Sequence, residues 1–409
     1  MPYPFLTGVS IVESSAFVPA PLAGMALAQF GADVIRVDAI GGGIDYRRAP
    51  CVNENGRSLF WASLNAGKRS LAIDFRKPEA RELLQELVIQ TGNLLTNRAV
   101  SWLSHANLSV RRKDLISCSI EGNPDGSSAM ECTIQSATGI PMLARKSLED
   151  GPTNSPFPAW DVITAYQAAF SFMGAINRRL VSGEGSEIKL AMSDVAFSTI
   201  SHLGLLPEAE ISGRDRPPAG NDVYGAFGRD FRTADGTFVM VVAITLPQWQ
   251  ALVACCQAQD AINLAQQRCG FDFSDELQRY EGREIIAQIL APWFRSREFS
   301  EVEGALNAYK VSWGKYATVK QLLDEDRRVG TQNPMFERRV TPGVGEHLGA
   351  RFAARFENCE RTASTGAALL GTHTDEVLQT VLGLSSIEIA RLHDARIIAG
   401  PESDPTVCR

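Results

Sequence analysis

The chain has 409 residues and a formal net charge of -7, and 44% of its residues are hydrophobic. A chain of this size can bury a large core divided between two or three domains. The acidic balance, with no concentrated basic patch, argues against a nucleic-acid-binding protein. Because we find no signal peptide and no apolar run that is long enough to cross a membrane, we expect a cytoplasmic protein without membrane contact. The eight cysteines and five histidines show no metal-ligand spacing, so we predict no metal site.

The first part of the chain alternates between strand and helix patterns. A strand at Val9–Val12, a helix at Leu22–Phe30 and a strand at Val34–Val37 follow one another within forty residues. Strand patterns at 93–96 and 115–120 continue the alternation. Strands that alternate with helices in this way predict an α/β domain with a parallel sheet and crossover helices.

A long helix is predicted to begin at or beside Asp161, because apolar residues recur at helical spacing from Val162 onward. Pro156 and Pro158 stiffen the chain that leads into this helix. A carboxylate at a helix N-terminus is stabilised by unpaired amide groups and by the helix dipole, so we expect Asp161 to be ionised and able to act as a nucleophile. The same placement also fits an ordinary helix-capping aspartate, which contributes about 1 kcal/mol.

The second part of the chain reads as a smaller domain. Residues 207–220 are polar and rich in proline, which is typical of a connection between domains. Residues 224–243 resemble a pair of antiparallel strands, and helical patterns follow from 247 to about 308. Near the C-terminus, Thr374 is predicted to cap one helix and Ser385 with Glu388 to open the last one.

Other motifs that we considered carry less information. The turn after the first strand, Ala16–Pro21, lacks the spaced glycines of a dinucleotide-binding site, which weighs against a nicotinamide dehydrogenase. The glycine run Gly41–Gly43 fits either a ligand loop or a flexible turn. Several basic residues near predicted strand ends suit contacts to phosphate groups, although most basic residues are only solvated. These residues are Lys68, Arg69, Arg76, Lys77 and Arg98.

Five segments, in the same order along nearly the whole chain, resemble the class III CoA-transferases. They are Ala28–Asp38, Leu64–Asp74, the helix that begins around Trp160 and Asp161, Gly183–Gly185 and Gly371–Leu378. The resemblance implies a Rossmann-like large α/β domain, a smaller α+β domain and an interlocked homodimer. It places the large domain at residues 1–205 and 325–409, a linker at 206–220 and the small domain at 221–320.

The resemblance also implies roles for individual residues. Asp161 is then the catalytic nucleophile, with Glu131 and Gln135 as further catalytic residues. Met130 occupies the position that, in the racemases of the family, resembles the histidine of the proton-transfer pair. A methionine at this position argues against abstraction of an α-proton. The positions that match CoA contacts are Phe17, Val18, Pro19, Ile73, Arg76, Asn97 and Arg98. Residues of a loop expected to cover the acyl group are Gly220, Asn221, Tyr224, Gly225 and Gly228.

Two positions depart from the family pattern, because Ala39 and Ser104 replace arginines that contact CoA. The segments Gly41–Tyr46, Pro158–Asp161 and Gly220–Phe231 resemble family members that move CoA between the two carboxyl groups of mesaconic acid. The expected substrate is therefore the CoA thioester of a small dicarboxylic acid, with no permanently bound cofactor. Alternatives are an intermolecular CoA-transferase, an acyl-CoA racemase, an NAD-dependent dehydrogenase and a non-catalytic CoA-binding protein.

Overall fold

A computed structural model describes residues 3–52, 56–361 and 364–407. In chain order, the strands are β1 (Ser10–Ser14), β2 (Asp33–Ala39), β3 (Cys51–Val52), β4 (Arg57–Ser58), β5 (Arg69–Ile73), β6 (Asn93–Thr96), β7 (Ile116–Glu121), β8 (Ser186–Ala191), β9 (Phe227–Arg232), β10 (Phe238–Ala243), β11 (Ser312–Lys315), β12 (Phe336–Thr341), β13 (Gly345–Ala350) and β14 (Ile398–Ala399).

The helices follow the same order. They are α1 (Pro19–Gln29), α2 (Leu59–Leu64), α3 (Pro78–Thr91), α4 (His105–Ser109), α5 (Glu131–Ala137), α6 (Ile140–Leu143), α7 (Ala159–Ser182), α8 (Met192–His202), α9 (Leu205–Ser212), α10 (Leu246–Cys255), α11 (Gln259–Cys269), α12 (Glu276–Glu281), α13 (Arg283–Arg295), α14 (Phe299–Ala308), α15 (Val319–Glu325), α16 (Thr374–Leu382) and α17 (Ser386–Asp394).

The main sheet has the strand order β14-β5-β2-β1-β6-β7-β8. Its strands pair in parallel, except that β14 runs antiparallel to β5. The predicted parallel sheet is therefore confirmed, and its order is that of the Rossmann fold with one antiparallel strand added at an edge. After β1 the chain adds β2 and β5 on one side of that strand, and it then adds β6, β7 and β8 on the other side. The carboxyl ends of β1 and β6 consequently border the crevice in which open α/β sheets bind ligands.

Helices cover both faces of this sheet, as strands with apolar residues on both faces require. On one face, α1 and α7 pack against the sheet through small side chains such as Ala23 and Ala168, and Phe172 fills the space between them and the strands. On the other face, α3, α16 and α17 pack against Val12, Ile35 and the neighbouring strands. The result is a three-layer α/β/α core.

The chain divides into two compact units. The first comprises residues 1–138, 156–206 and 327–409, and the second comprises 139–155 and 207–326. Two segments differ from the boundaries expected from the sequence. Residues 139–155 belong to the second unit and not to the large domain, and the expected linker at 206–220 contains most of helix α9.

The second unit is built on a three-stranded antiparallel sheet in the order β11-β10-β9. Strands β9 and β10 pair around a turn at Gly236, whose φ of +85° lies in the left-handed region that glycine tolerates, so the predicted hairpin is confirmed. Helices α10 to α14 pack on the sheet around a separate apolar core that includes Trp249, Phe273 and Phe294.

Near the C-terminus one helix cap was predicted correctly and one was not. Ser385 accepts a hydrogen bond from the Glu388 amide, so the predicted capping box of α17 is confirmed. Thr374 does not cap α16 as predicted. It is the first helical residue, and its hydroxyl donates to the carbonyl of Ala399 at 2.8 Å, which ties α16 to β14. The competing long-range acceptor was not visible in the local sequence.

None of the helices in the described ranges of the chain combines the length and the apolar character that a membrane span requires. Within the same ranges, no group of three or more histidine, cysteine, aspartate or glutamate side chains is arranged to hold a metal ion.

Candidate active site

Asp161 lies at the edge of the main sheet where the strands end. Helices α5, α6 and α7 lie between β7 and β8, and because α7 leads directly into β8 and packs on the sheet, it runs against the strand and begins near the carboxyl ends of these parallel strands. Asp161 is the third residue of α7 and follows Pro158, the residue that precedes the first helical turn. Helix α1 begins at the same edge after β1, so the chain before Pro19 and the first turn of α7 belong to one face of the first unit.

The loop between β1 and α1 is fixed by two side chains that are far away in sequence. The side-chain amide of Asn97 accepts from the Ala16 N–H at 2.9 Å and donates to the Ala16 carbonyl at 2.7 Å. The Phe17 N–H donates to Oδ2 of Asp45 at 2.7 Å. These bonds hold Phe17 at a φ of +62°, a left-handed conformation that costs a non-glycine residue on the order of 1 kcal/mol or more. Asn97, expected as a CoA contact, therefore also positions the Phe17 loop.

A cluster of buried charges lies next to Asp45. Arg36 donates to Asp38 at 2.8 Å and to Glu13 at 2.9 Å, and Lys68 lies 2.8 Å from Glu13. Burial lowers the pKa of Lys68 to about 8, against the attraction of Glu13. Because both cations are paired with carboxylates, and Arg36 also lies 3.9 Å from Asp45, the cluster can hold Asp45, and with it Phe17, in one position.

Asp161 is mostly buried, and its carboxyl group is harder to ionise than the sequence led us to expect. Burial raises its pKa to about 7; the negative charge of Glu131 adds to the rise, and the positive charge of Arg48 opposes it. The sequence led us to expect that the helix N-terminus keeps this carboxylate ionised, whereas burial and the charge of Glu131 shift the group toward its neutral form. Near neutral pH the group is divided between its two protonation states.

Glu131 and Gln135 lie on α5, which follows β7 at the same edge of the sheet. Gln135 is buried, and its side-chain amide donates to Oε1 of Glu131 at 3.3 Å, one helical turn away. Met130 precedes the helix and is exposed. The structure thus places Glu131 close enough to Asp161 to act on its charge, and it gives Gln135 a role in orienting Glu131.

The remaining positions expected to contact CoA differ in their exposure and in the contacts that they already make. Val18 and Pro19 form the start of α1 at the strand-end edge. The side chain of Ile73 is fully buried in the core, so a CoA molecule can reach only its backbone. Arg76 is exposed and donates two hydrogen bonds to Asp74, at 2.8 and 2.9 Å.

Arg98 has the clearest features of an anion site. Its guanidinium stacks on the ring of Phe75 at 4.7 Å, and it makes no side-chain hydrogen bond or ion pair within residues 3–52, 56–361 and 364–407. The Nε atom is buried without a partner. Burial lowers the pKa of Arg98, while the negative charges of Asp38 and Asp45 act in the opposite direction. A cation in this condition gains strongly from a bound anion.

A cavity of about 250 Å³ borders Arg98 and lies over one face of β6, β7 and β8. Ser104 lines it and accepts from the Asn107 amide at 3.4 Å, which explains why a capping serine and not an arginine suits the start of α4. The other lining residues are Leu94, Thr96, Ala99, Val100, Ser101, Leu103, His105, Ser117, Ser119, Glu121, Glu187 and Lys189. Ala39, at the second departure from the family, ends β2 and pairs with Ile73.

Two residues of this edge were missed in the sequence. Asp45 holds Phe17, and Arg48 acts on the charge of Asp161. The block Gly41–Tyr46 gave a signal for the region because it resembles the family. No local pattern separates Arg48 from the many basic residues that are only solvated.

The residues predicted to form a loop over the acyl group all lie in the second unit. Gly220 and Gly225 have φ angles of +55° and +78°, and the Asn221 amide donates to Asp230 at 3.0 Å. Tyr224 donates to Glu208 at 3.0 Å. Gly228 lies within strand β9, where an added Cβ would come within 2.4 Å of Val223, so packing alone explains this glycine. Their role over the acyl group stays a prediction.

The raised pKa of Asp161 predicts a specific pH dependence. If the carboxylate is the nucleophile, kcat/KM should rise with pH with an apparent pKa of about 7. Glu131→Gln removes a like charge, so the Asp161 pKa should fall and the rise should move to lower pH. Profiles of kcat/KM against pH measure this shift. Glu86→Gln, at an exposed carboxylate paired with Arg111, should leave it in place. An unmoved profile in Glu131→Gln would contradict the assignment.

Comparison with known proteins shows the family of this chain. Its sequence matches CoA-transferase family III over residues 6–374. It is 43% identical over 402 residues to 2-methylfumaryl-CoA isomerase of Chloroflexus aurantiacus, covering 97% of this chain and 98% of that protein. It is 25% identical to succinyl-CoA–D-citramalate CoA-transferase of the same organism, covering 96% of this chain and 98% of that protein.

A solved structure shows the same fold. A CaiB/BaiF family protein from Brucella suis superposes with a TM-score of 0.77 at 21% identity, over 93% of this chain and 100% of that chain. The predicted class of fold, with a Rossmann-like sheet and a second, smaller unit, is confirmed by this likeness together with the strand order.

Proposed function

The chain belongs to CoA-transferase family III, as the sequence resemblance predicted, and we propose that it converts 2-methylfumaryl-CoA (mesaconyl-CoA) into 3-methylfumaryl-CoA. The observation that carries this proposal is the 43% identity to a 2-methylfumaryl-CoA isomerase over nearly the full length of both chains. The partly buried carboxylate of Asp161 at the ligand-binding edge of the sheet supplies a nucleophile of the required kind.

The first half of the proposed reaction moves CoA from the substrate to the enzyme. The Asp161 carboxylate attacks the thioester carbonyl, and the C–S bond breaks to give an aspartyl-mesaconyl anhydride and CoA thiolate. The thiolate then attacks the aspartyl carbonyl of the anhydride. This step forms an aspartyl-CoA thioester and releases mesaconate as the free diacid, with both of its carboxyl groups ionised.

The second half returns CoA to the other end of the same acid. The second carboxylate of the retained mesaconate attacks the aspartyl thioester and expels CoA thiolate, which forms a new anhydride. The thiolate attacks the mesaconyl carbonyl of that anhydride, and the Asp161 carboxylate leaves. Because the acceptor is held beside the thioester, its effective concentration replaces that of a free acid, and values of about 10⁵ M or more are known for well-oriented groups.

The residues around Asp161 have distinct parts in this scheme. Burial leaves the carboxyl group poorly solvated and raises its pKa to about 7, which makes its anion reactive while a usable fraction is ionised at neutral pH. The charge of Glu131, which accepts a hydrogen bond from Gln135, adds to this rise. CoA enters as a substrate and no resident cofactor is needed. Arg98, beside the cavity, is proposed to bind a phosphate of CoA in place of the arginines that are replaced by Ala39 and Ser104.

We also propose that the enzyme acts in the cytoplasm as a homodimer, as the resemblance implies. Large apolar side chains on the surface of the first unit support an association. Tyr166 and Phe170 lie one turn apart on α7 with 48% and 79% of their surface exposed, and Phe197 on α8 is 40% exposed. Apolar groups exposed next to one another in this way commonly mark interfaces.

Isomerisation without an acceptor tests the proposal. The purified enzyme, given 2-methylfumaryl-CoA alone, should produce 3-methylfumaryl-CoA, which chromatography separates from the substrate. When isotopically labelled free mesaconate is added in excess, the label should stay out of the product. Turnover that depends on an added acid would instead favour an intermolecular transferase, the activity named for the relative that acts with D-citramalate.

A further inference from the structure

Arg48 lies over two aromatic rings and forms no ion pair with the residues that the structure describes. Its guanidinium carbon lies 5.8 Å from the centre of the Phe17 ring and 5.6 Å from that of Phe60. The side chain is exposed, and in the part of the chain that the structure describes, its guanidinium forms neither an ion pair nor a hydrogen bond. Cation–π contacts with two rings orient the group while leaving its N–H donors available.

The rings beneath Arg48 are part of the fixed edge of the sheet. Phe17 is held by the bond from its amide to Asp45, and the residue before it is held by Asn97. Phe60 lies in α2 and packs against the core on the α1 side. The contacts that shape the loop between β1 and α1 therefore also hold the Phe17 ring over which the guanidinium lies.

Arg48 also lies within electrostatic reach of Asp161, since its positive charge favours the ionised form of that carboxyl group. No ion pair joins the two among the described residues. An acyl group bonded to Asp161 would thus have a cation near it whose donors are not already occupied. A monocarboxylic acyl chain has no free carboxylate to pair with this cation, whereas a dicarboxylic acyl chain carries a second carboxylate that can.

We propose that Arg48 determines specificity for dicarboxylic acyl groups by binding the carboxylate that is not bonded to CoA or to Asp161. The identity of the acyl chain rests on the proposed function. The two ends of mesaconate are related by a near-symmetric carbon skeleton, so one arginine can receive the C4 carboxylate in the first half of the reaction and the C1 carboxylate in the second. A guanidinium suits this task because it binds a carboxylate through two parallel N–H bonds.

The same contact accounts for retention of the free diacid between the two halves. After the aspartyl-CoA thioester forms, mesaconate is no longer bonded to the enzyme. It is then a dianion, and a cation whose charge acts on Asp161 can hold one carboxylate while the other faces the thioester. Without such a contact the acid would escape, and the enzyme would depend on acid from solution.

Binding measurements on a matched set of ligands test the inference. The Asp161→Asn variant prevents turnover and also removes the carboxylate on which Arg48 could act indirectly. Calorimetry then gives Kd for two pairs of CoA thioesters in which a methyl group replaces the free carboxylate: mesaconyl-CoA with tiglyl-CoA, and succinyl-CoA with butyryl-CoA. Each pair is measured in three forms of the Asp161→Asn protein: one that retains Arg48, one with Arg48→Gln and one with Arg48→Lys. Arg47→Gln, at the neighbouring exposed arginine, is the control.

We expect Arg48→Gln to weaken mesaconyl-CoA and succinyl-CoA binding by about 10- to 100-fold, the effect of one charge-assisted contact. Binding of the methyl analogues should change by no more than about twofold, within the usual effect of a surface substitution. Arg48→Lys should retain part of the preference, and Arg47→Gln should change nothing. Equal weakening of all four ligands, or of none, would overturn the inference.

The outcomes separate this inference from the proposed function. If the enzyme does not isomerise mesaconyl-CoA, but Arg48→Gln still removes a preference for succinyl-CoA over butyryl-CoA, the proposed function fails and the role of Arg48 stands. If isomerisation occurs and Arg48→Gln leaves both ratios of Kd unchanged, the role of Arg48 fails and the proposed function stands.

Discussion

Asp161→Asn should reduce turnover of 2-methylfumaryl-CoA by on the order of 10⁴-fold or more, because an amide cannot form the anhydride and removal of a nucleophile has effects of this size. The substitution keeps the size and shape of the side chain, and the Asp161 side chain makes no hydrogen bond to other described residues, so the fold should be retained. Steady-state rates and a folded circular dichroism spectrum check this expectation.

The same variant should be more stable than the wild type above neutral pH. The pKa of Asp161 is raised on folding, so between about pH 4 and pH 7 the unfolded chain releases its proton first, and stability falls as pH rises. Removing the carboxylate should therefore add about 1–3 kcal/mol at pH 8, allowing for partial access of solvent, and less at pH 5. Thermal unfolding at both values measures the difference.

Asp194→Asn is a matched control for both measurements. Asp194 is also the third residue of its helix, α8, but it is exposed. Its replacement should change neither turnover nor the pH dependence of stability. If Asp161→Asn retained substantial activity, the nucleophile would have to be another group, and the assigned site would be wrong.

Arg98→Gln should weaken the binding of CoA by about 100-fold, with a smaller effect on kcat. The guanidinium is half-buried, its Nε atom makes no hydrogen bond to the described residues, and it stacks on Phe75 beside a cavity over one face of β6, β7 and β8. A phosphate bound to this guanidinium would form charge-assisted hydrogen bonds, which contribute more to binding than hydrogen bonds between neutral groups. Kd for CoA from calorimetry, together with KM for the thioester, checks the expected loss.

Stability provides a second observable for Arg98. A buried cation without a partner destabilises the ligand-free protein, so Arg98→Gln should not lower the melting temperature of that form. Arg111→Gln is the control, because Arg111 is exposed and already paired with Glu86 at 2.7 Å. Should CoA bind equally well to Arg98→Gln and wild-type protein, the phosphates must be held elsewhere.

The features that local sequence predicted are those set by local physics. The apolar run at β6 was placed at its observed bounds, and Ser385 opens α17 as its capping pattern requires. The start of α7 near Asp161 was also predicted, since a proline followed by helical periodicity marks a helix entrance. Each of these depends on residues within one or two turns of one another.

The features that local sequence did not predict depend on contacts across the fold. Asp45 lies 28 positions from Phe17, and Asn97 lies 81 positions from Ala16, yet they fix the loop on which the site depends. The pKa of Asp161 depends on its burial and on Glu131 and Arg48, which reach it from separate elements. Neither composition nor spacing reports such convergence. The family resemblance predicted the residues of the candidate site because it rests on segments spread along nearly the whole chain.

Covalent trapping at Asp161 tests the account most directly. The enzyme is incubated with 2-methylfumaryl-CoA and hydroxylamine, digested, and mapped by mass spectrometry. Hydroxylamine attacks activated acyl groups, so either the anhydride or the aspartyl-CoA thioester should convert the Asp161 side chain to a hydroxamate, in a reaction that needs the thioester and that Asp161→Asn lacks. An unmodified Asp161 peptide from enzyme that turns over normally would contradict the covalent mechanism.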